Sequence, residues 1–374
     1  MTIAIDMVGT NLRSGTRTYN INFCKYLSKK KLKNKIYIFI TQNYYKEIKN
    51  NNSNIIYILK KNYLSNIIYR FFWMQFILPF ELKYLCIKKL YSPMNFSPLI
   101  LKILNIKLIL CLHSNLPWVL FEKMPGNFLR KTFTKFIMEK SINASDTLIT
   151  CSNFAKKEIT KILKLKKKNI FAINLGVDQK FLNKEKSNYY LKNFNYNNYI
   201  ISVLSCARYH NIINILKAFK LLKKNNFKKL KLVFILQVLD PKYFLEIKNF
   251  VKLNFDEDEI KIFHNLDNKY LINFYRNAKF YIFSSYCEVF GMTSLEAMSQ
   301  KCPVLISNKS AIPEINEDAV LYFNPNNIIQ IKGLMHKLLN NIKLRQKLVN
   351  RGNLHFKKFC WKKTIDKTIN ILEA

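Results

Sequence analysis

The feature that most constrains this chain is the alternation, from end to end, of short apolar runs with amphipathic segments. Ile3–Met7, Ile36–Thr41, Ile55–Leu59, Leu108–Leu112, Thr147–Cys151 and Ile170–Leu175 read as strands. Ile200–Leu204, Leu230–Leu236, Ile260–His264, Phe280–Ser284, Pro303–Ser307 and Val320–Phe323 continue the series. Between them, segments such as Arg17–Leu27, Leu129–Ile142, Ile215–Leu222, Lys269–Asn277 and Ile328–Leu339 carry apolar residues at helical spacing. Strands apolar on both faces are buried on both, and intervening helices cover the two faces of a parallel sheet. The expected class is α/β, with doubly wound parallel sheets.

The rhythm breaks between Gly176 and Tyr199, where Asn, Lys and Tyr replace the apolar runs. A length of 374 residues holds enough apolar material for two cores. The break therefore divides an N-terminal domain, 1–180, from a C-terminal domain, 181–354, with a final helix at about 355–374 expected to pack back on the first. The two domains are expected to face each other across a cleft. Ligands of such sheets bind beyond the carboxyl ends of the strands, where the loops with Gly15, His113, Arg208 and Glu288 fall.

Lys and Arg number 62 against 23 Asp and Glu, a formal charge of +39 that attracts polyanions. The lysines are dispersed, and no zinc-finger spacing, basic zipper or aromatic RNA-binding signature accompanies them, so nucleic acid is not the expected partner. An anionic lipid surface is preferred. The segment Ile67–Pro79 is rich in aromatic and aliphatic residues near many lysines, and two roles stand open for it: a membrane-interface element or a core helix. The charge-free window Phe71–Phe80 is about half the ~20 residues a membrane span needs. The eight cysteines stand singly, several inside apolar runs, as reduced buried thiols do. None of the five histidines has metal-ligand spacing along the chain, so no bound metal is expected. The N-terminus opens directly into a strand without a signal-peptide pattern. The expected location is cytoplasmic, with peripheral attachment to the inner face of the cytoplasmic membrane left open.

Four loops could carry chemistry. Glu288 and Glu296 bracket Val289-Phe290-Gly291-Met292-Thr293-Ser294-Leu295, just after the strand Tyr281-Ile282-Phe283. This places Glu288 in a strand-to-helix loop and Glu296 in the first turn of the next helix, with backbone amides between them and an anion-favouring helix N-terminus. Thr293-x-x-Glu296 also fits a capping box, so on the residues alone Glu296 has two roles open. Gly15 ends a loop that is neither a dinucleotide fingerprint nor a P-loop, yet a glycine there lets backbone approach a ligand. In a chain with only seven glycines, against roughly 26 at average usage, a retained one is informative. His113 ends a strand, and Arg208 follows the first strand of the second domain as a reasonable diphosphate ligand or a surface residue.

Taken in order, these pieces resemble the retaining glycosyltransferases of family 4, which have the GT-B fold. The similarity is densest from Tyr286 through Met298, the family's E-x7-E block, and continues through Cys302-Pro303-Val304 to Ile312-Pro313-Glu314. Ser14-Gly15-Thr16-Arg17, Trp73-Met74-Gln75-Phe76, Tyr91-Ser92-Pro93, His113 and Gly176-Val177-Asp178 support it.

The resemblance implies transfer of a hexose-type sugar from a nucleoside diphosphate to a saccharide or lipid-linked acceptor, retaining anomeric configuration and needing no metal or other cofactor. It implies that Glu288 bonds the donor sugar beside the amides of Phe290, Gly291 and Met292, that Thr293 approaches the diphosphate, and that Glu296 holds the ribose. Gly15 would pass near the donor phosphate, and His113 would sit by the sugar near the acceptor. The chain departs from the family where an Arg and a Lys usually clamp the diphosphate. These are Ser205 and His210 in one register, or Arg208 and Asn211 in another, and the Lys is absent from both. Losing one charge-assisted bond could weaken donor binding by roughly 10- to 150-fold. A Ser, Ser114, stands where an Asp often follows the His. The missing Lys motivates an alternative: a degenerate GT-B protein that binds nucleotide-sugar or glycan without turnover.

Overall fold

The computed structural model describes residues 2–9, 15–165, 168–182, 194, 197–224, 227–264, 266 and 268–374. Residues 10–14, and with them Ser14 and most of the loop before Gly15, lie outside the described residues, as does much of the 176–199 break.

The chain divides into two compact units. One comprises Met1–Asn115, Thr132–Gly176 and Cys360–Ala374, and the other Leu116–Lys131 and Val177–Phe359. The first holds β1 (Ile3–Asp6), β2 (Ile36–Thr41), β3 (Ile55–Lys60), β4 (Lys89–Ser92), β5 (Lys107–Leu112), β6 (Thr147–Thr150) and β7 (Asn169–Ala172). They form one parallel sheet in the order β3-β2-β1-β4-β5-β6-β7. The second holds β8 (Tyr199–Cys206), β9 (Lys231–Val238), β10 (Ile260–His264), β11 (Tyr281–Phe283), β12 (Val304–Ser307) and β13 (Leu321–Phe323). Their order is β10-β9-β8-β11-β12-β13, again parallel throughout. Each unit is thus a doubly wound sheet whose strand order reverses once, between β1 and β4 in the first and between β8 and β11 in the second. The crevice beyond the strand ends at such a reversal is where these sheets bind ligands.

The apolar runs read from the sequence correspond to strands, but β4 is absent from that reading. Its four residues, Lys89-Leu90-Tyr91-Ser92, are all buried, yet a Lys and a Ser at the ends conceal it as a strand. The Lys89 stem is buried with it, and its Nζ donates to the Leu372 carbonyl 3.1 Å away, in the last turn of the helix Trp361–Glu373. Burial pushes that ammonium below its ordinary range, and a helix C-terminus is where a cation is best placed.

The same helix is seated on the first unit by a close approach. A side chain at Gly176 would put its Cβ 2.2 Å from the Trp361 backbone nitrogen, so only glycine fits. Thr364 donates to the Asn174 carbonyl, 2.7 Å. All eight cysteines are free, six of them buried. Among the described residues no helix is long and apolar enough to cross a membrane.

Candidate active site

In the second unit, Glu288 lies in the loop that leaves β11. Its backbone is fixed by Ser310, whose hydroxyl accepts from the Glu288 N–H at 3.1 Å and donates to the Glu288 carbonyl at 2.7 Å. The Ala311 N–H donates to that carbonyl as well, 3.2 Å. Ser310 has positive φ, +59°, and joins β12 to the short helix Ile312–Asn316. Nothing in its own residue type marked it as a positioning group.

The loops leaving β8 and β11 are bonded to each other across the strand reversal. The Ser284 hydroxyl donates to the carbonyls of His210 (2.7 Å) and Asn211 (3.1 Å), and the Tyr286 N–H donates to the Tyr209 carbonyl at 2.9 Å. His210 is thereby held against Glu288, its Nδ1 3.6 Å from Oε1, with the Glu288 side chain only 19% exposed. Burial pushes the carboxyl up to about 7, with the Ser285 side chain pulling it back. Burial also pushes the His210 imidazole down to about 3. Both groups are driven toward their neutral forms, so despite the short distance this is not an ion pair at neutral pH.

The helix after the loop runs Met292–Ser299 with Gly291 as its N-cap, at φ +85° and with no side-chain cap bond. Thr293 and Glu296 therefore form no capping box, and Glu296 stands a full turn into the helix, not in its first turn. The Thr293 hydroxyl pairs with that of Tyr281 at 2.7 Å. Phe290 is buried edge-on against Phe359, centroids 5.6 Å apart, which leaves its backbone as the part available to a ligand. A Cβ at Gly291 would meet nothing within 4 Å: glycine is required by the backbone conformation, and open space faces the helix N-terminus. The first N–H groups of a helix have no partner within it. Burial pushes the Glu296 carboxyl up to about 7; Lys180 lowers it, Asp178 raises it, and the Tyr275 hydroxyl lies alongside. Glu288, Phe290, Gly291, Met292, Thr293 and Glu296 thus form one group of acid, amides and acid.

Arg208 does not join it. Its guanidinium is bonded to Glu246, lies 3.8 Å from Asp240, and stacks 5.1 Å over the Tyr243 ring. These partners lie on the β9 side of β8, whereas His210 turns to the β11 side. The Asn211 side chain donates to the Pro325 carbonyl at 2.7 Å.

In the first unit, His113 follows β5, and its N–H donates to the Asn95 side chain, 2.5 Å, in the loop after β4. Its ring packs edge-on to Tyr19, centroids 4.8 Å apart, and Tyr19 shares a 2.5 Å hydroxyl pair with Tyr91. Its Nε2 is buried without a hydrogen-bond partner among the described residues. Gly15 is the exposed first residue of the helix Gly15–Leu27. Cys111, His113 and Cys151 bring two sulfurs and a ring nitrogen within 4.8 Å of one another, a set that could hold a metal ion. Spacing along the chain does not reveal it, because neighbouring strands assemble it.

A family model described as "Glycosyltransferase Family 4" matches residues 13–181, and one described as "Glycosyl transferases group 1" matches residues 183–355. The chain belongs to the family 4 glycosyltransferases. An O-antigen chain mannosyltransferase B from Escherichia coli is 23% identical to this family 4 chain over 240 residues, 62% of either chain. The O-antigen chain mannosyltransferase RfbU of Salmonella typhimurium is 24% identical over 203 residues, 54% of this chain and 53% of that protein. The chain thus spans less than two thirds of each of those relatives, 62% of one and 53% of the other. A glycosyltransferase from Rickettsia africae superposes with a TM-score of 0.72 at 17% identity, covering 99% of this chain and 97% of that one. Sucrose-phosphate synthase from Thermosynechococcus elongatus gives 0.76 at 14% identity, covering 100% and 98%. At these identities the likeness is one of fold, and the fold is GT-B.

Proposed function

We propose that this glycosyltransferase moves a hexose-type sugar, with mannose favoured, from a UDP- or GDP-sugar to a saccharide or lipid-linked saccharide, retaining anomeric configuration. The product would serve bacterial surface polysaccharide or lipopolysaccharide synthesis, as the O-antigen relatives suggest. The observation that carries the reading is the recessed Glu288 carboxyl beside the open Gly291 helix start, with Glu296 one turn further on.

Glu288 would bond the sugar, the amides of Phe290 to Thr293 the diphosphate, and Glu296 the ribose hydroxyls. Amides fixed before the reaction stabilise the departing charge without reorganising. The leaving diphosphate would take the acceptor proton during front-face attack, so no protein nucleophile and no metal would be needed. Gly15 and His113 would act from the first unit, Gly15 near the phosphate and His113 near the acceptor. Arg208 would have to leave Glu246 to reach the diphosphate. The test is nucleotide release from a panel of UDP- and GDP-sugars, with Glu288→Ala as control. Release from one donor, abolished in the variant, supports transfer; release that survives the substitution removes Glu288 from the role.

The second reading is a binder without turnover, favoured by the engagement of Arg208 with Glu246 and by a neutral His210 at a clamp position. Donor binding without release across the panel and a set of acceptors would support it.

A further inference from the structure

The helical run from Ile67 to Tyr84 is apolar on two faces, and only one is covered. It is α-helical over Ile67–Phe72, π-helical over Trp73–Ile77 and α-helical again over Leu78–Tyr84. Trp73, Met74, Leu78 and Leu82 enter the first unit's core beside Phe39 and Leu90. Every fourth residue on the other side is a large exposed hydrophobe: Ile68 (61%), Phe72 (55%), Phe76 (63%), Phe80 (61%) and Tyr84 (87%). Phe72 stacks on Phe76 at 6.1 Å. Phe71 packs edge-on to Phe133, 5.2 Å, which extends the patch onto the helix Phe128–Ala144, where Phe133 and Phe136 are half exposed.

The helix is held firmly in this orientation. Arg70, in the middle of the exposed residues, is itself buried and reaches Asp6 at the end of β1, 3.3 Å away. The Gln75 amide donates to the Ser97 carbonyl at 3.0 Å and accepts from the Leu99 N–H at 3.1 Å. A surface helix ordinarily turns polar residues outward, and a contiguous exposed apolar patch marks an interaction site.

The charge around the stripe selects the partner. From Lys60 to Lys107 the chain carries eight Lys and Arg against one acid, Glu81, and Lys60 bonds that acid. Lys61, Lys83, Lys88 and Lys102 are exposed, and the Lys140 ammonium lies 5.3 Å from the Phe136 ring. Two copies meeting on this face would bring like charges together. An anionic bilayer satisfies both features: aromatic and aliphatic side chains enter the headgroup–acyl boundary, while lysines extend to the lipid phosphates.

We propose that this face docks the chain on an anionic lipid bilayer, with Ile68, Phe72, Phe76 and Phe80 inserted at the headgroup level. The transferase reading gives docking its purpose, access to a lipid-linked acceptor, but binding itself does not depend on that reading.

The test is co-sedimentation of the full chain with phosphatidylcholine vesicles, with and without phosphatidylglycerol, at low and high salt. Binding is expected to be about tenfold or more tighter with the anionic lipid, and part of it is expected to persist at about 0.5 M salt. Phe72→Ser with Phe76→Ser should lose most of the binding, with nucleotide-sugar hydrolysis and thermal stability unchanged. Should that pair unfold the chain, Lys61→Glu with Lys83→Glu addresses the same surface and should also release it. Three results would overturn the proposal: no binding to anionic vesicles, binding unaffected by either pair, or binding wholly abolished by salt. A dimer dissolved by the serine pair, without vesicle binding, would instead make the face an interface between copies. Vesicle binding by a chain inactive on every donor would uphold the docking and sink the transferase reading alone.

Discussion

His210 Nδ1 and Glu288 Oε1 face each other at 3.6 Å, and neither atom has a hydrogen-bond partner among the described residues. Two polar atoms left unsatisfied in a recess are costly in the free protein. A sugar hydroxyl placed there could donate to the carboxylate and accept from the carboxylic acid form. Because burial holds Glu288 at about 7, both forms are present near neutrality.

Glu288→Gln keeps the side-chain size and removes the titration. Turnover is expected to fall by about 100-fold or more, with the unfolding temperature at pH 8 unchanged or raised. Steady-state nucleotide release and thermal unfolding of the same preparations check both halves. An active Gln variant would show that the carboxylate itself is dispensable.

Stability should fall from mildly acidic to mildly alkaline pH because of Glu296. An unfolded Glu ionises near 4.5, whereas the folded one waits until about 7. Its contribution is therefore complete below 4.5 and lost as pH rises through 7, about 1–3 kcal/mol in all. His210 acts in the opposite sense, since its folded value near 3 lies below the unfolded 6.5 and costs stability as pH falls below 6.5. Subtracting wild type from Glu296→Gln in chemical denaturation between pH 5 and 8 isolates the Glu term. The Gln variant should gain on wild type steadily across that range; a flat difference would contradict the burial argument.

Gly291→Ala and Gly333→Ala should move stability in opposite directions. Neither Cβ would meet an atom within 4 Å, but Gly291 has φ +85° while Gly333 lies inside the helix Ile328–Asn340. Strain at Gly291 should cost about 1–2 kcal/mol and displace the amides before Thr293. The helical substitution should gain about 0.5–1 kcal/mol. Denaturation midpoints read the first effect, and donor affinity, lowered only in Gly291→Ala, reads the second.

Gly176→Ala should be among the most damaging single substitutions in the first unit. The added Cβ meets backbone at 2.2 Å, and backbone cannot rotate away as a side-chain end can. A loss of about 3 kcal/mol or more is expected from forcing the helix Trp361–Glu373 off its seat. Limited proteolysis of the C-terminal residues, compared with wild type, localises the effect; equal resistance would show the helix has shifted without leaving.

The alternation of apolar runs determined the α/β class, because a strand that is apolar throughout needs no distant information to be recognised; β4, equally buried but ending in Lys89 and Ser92, escaped it. The spacing of Glu288 and Glu296 around a glycine likewise placed the candidate site, since a strand, a turn and a helix start are local events. Tertiary structure decided which groups those acids meet. It set His210 against Glu288, fixed the Glu288 backbone through Ser310, drew Arg208 toward Glu246, and brought Cys111 and Cys151 to His113. It also showed that the Ile67–Tyr84 run is half core and half exposed stripe, where the sequence left two roles open. The physical reason is range: periodicity and capping act within a few residues, whereas burial, and the pKa shifts that follow from it, depends on strands brought together from far along the chain.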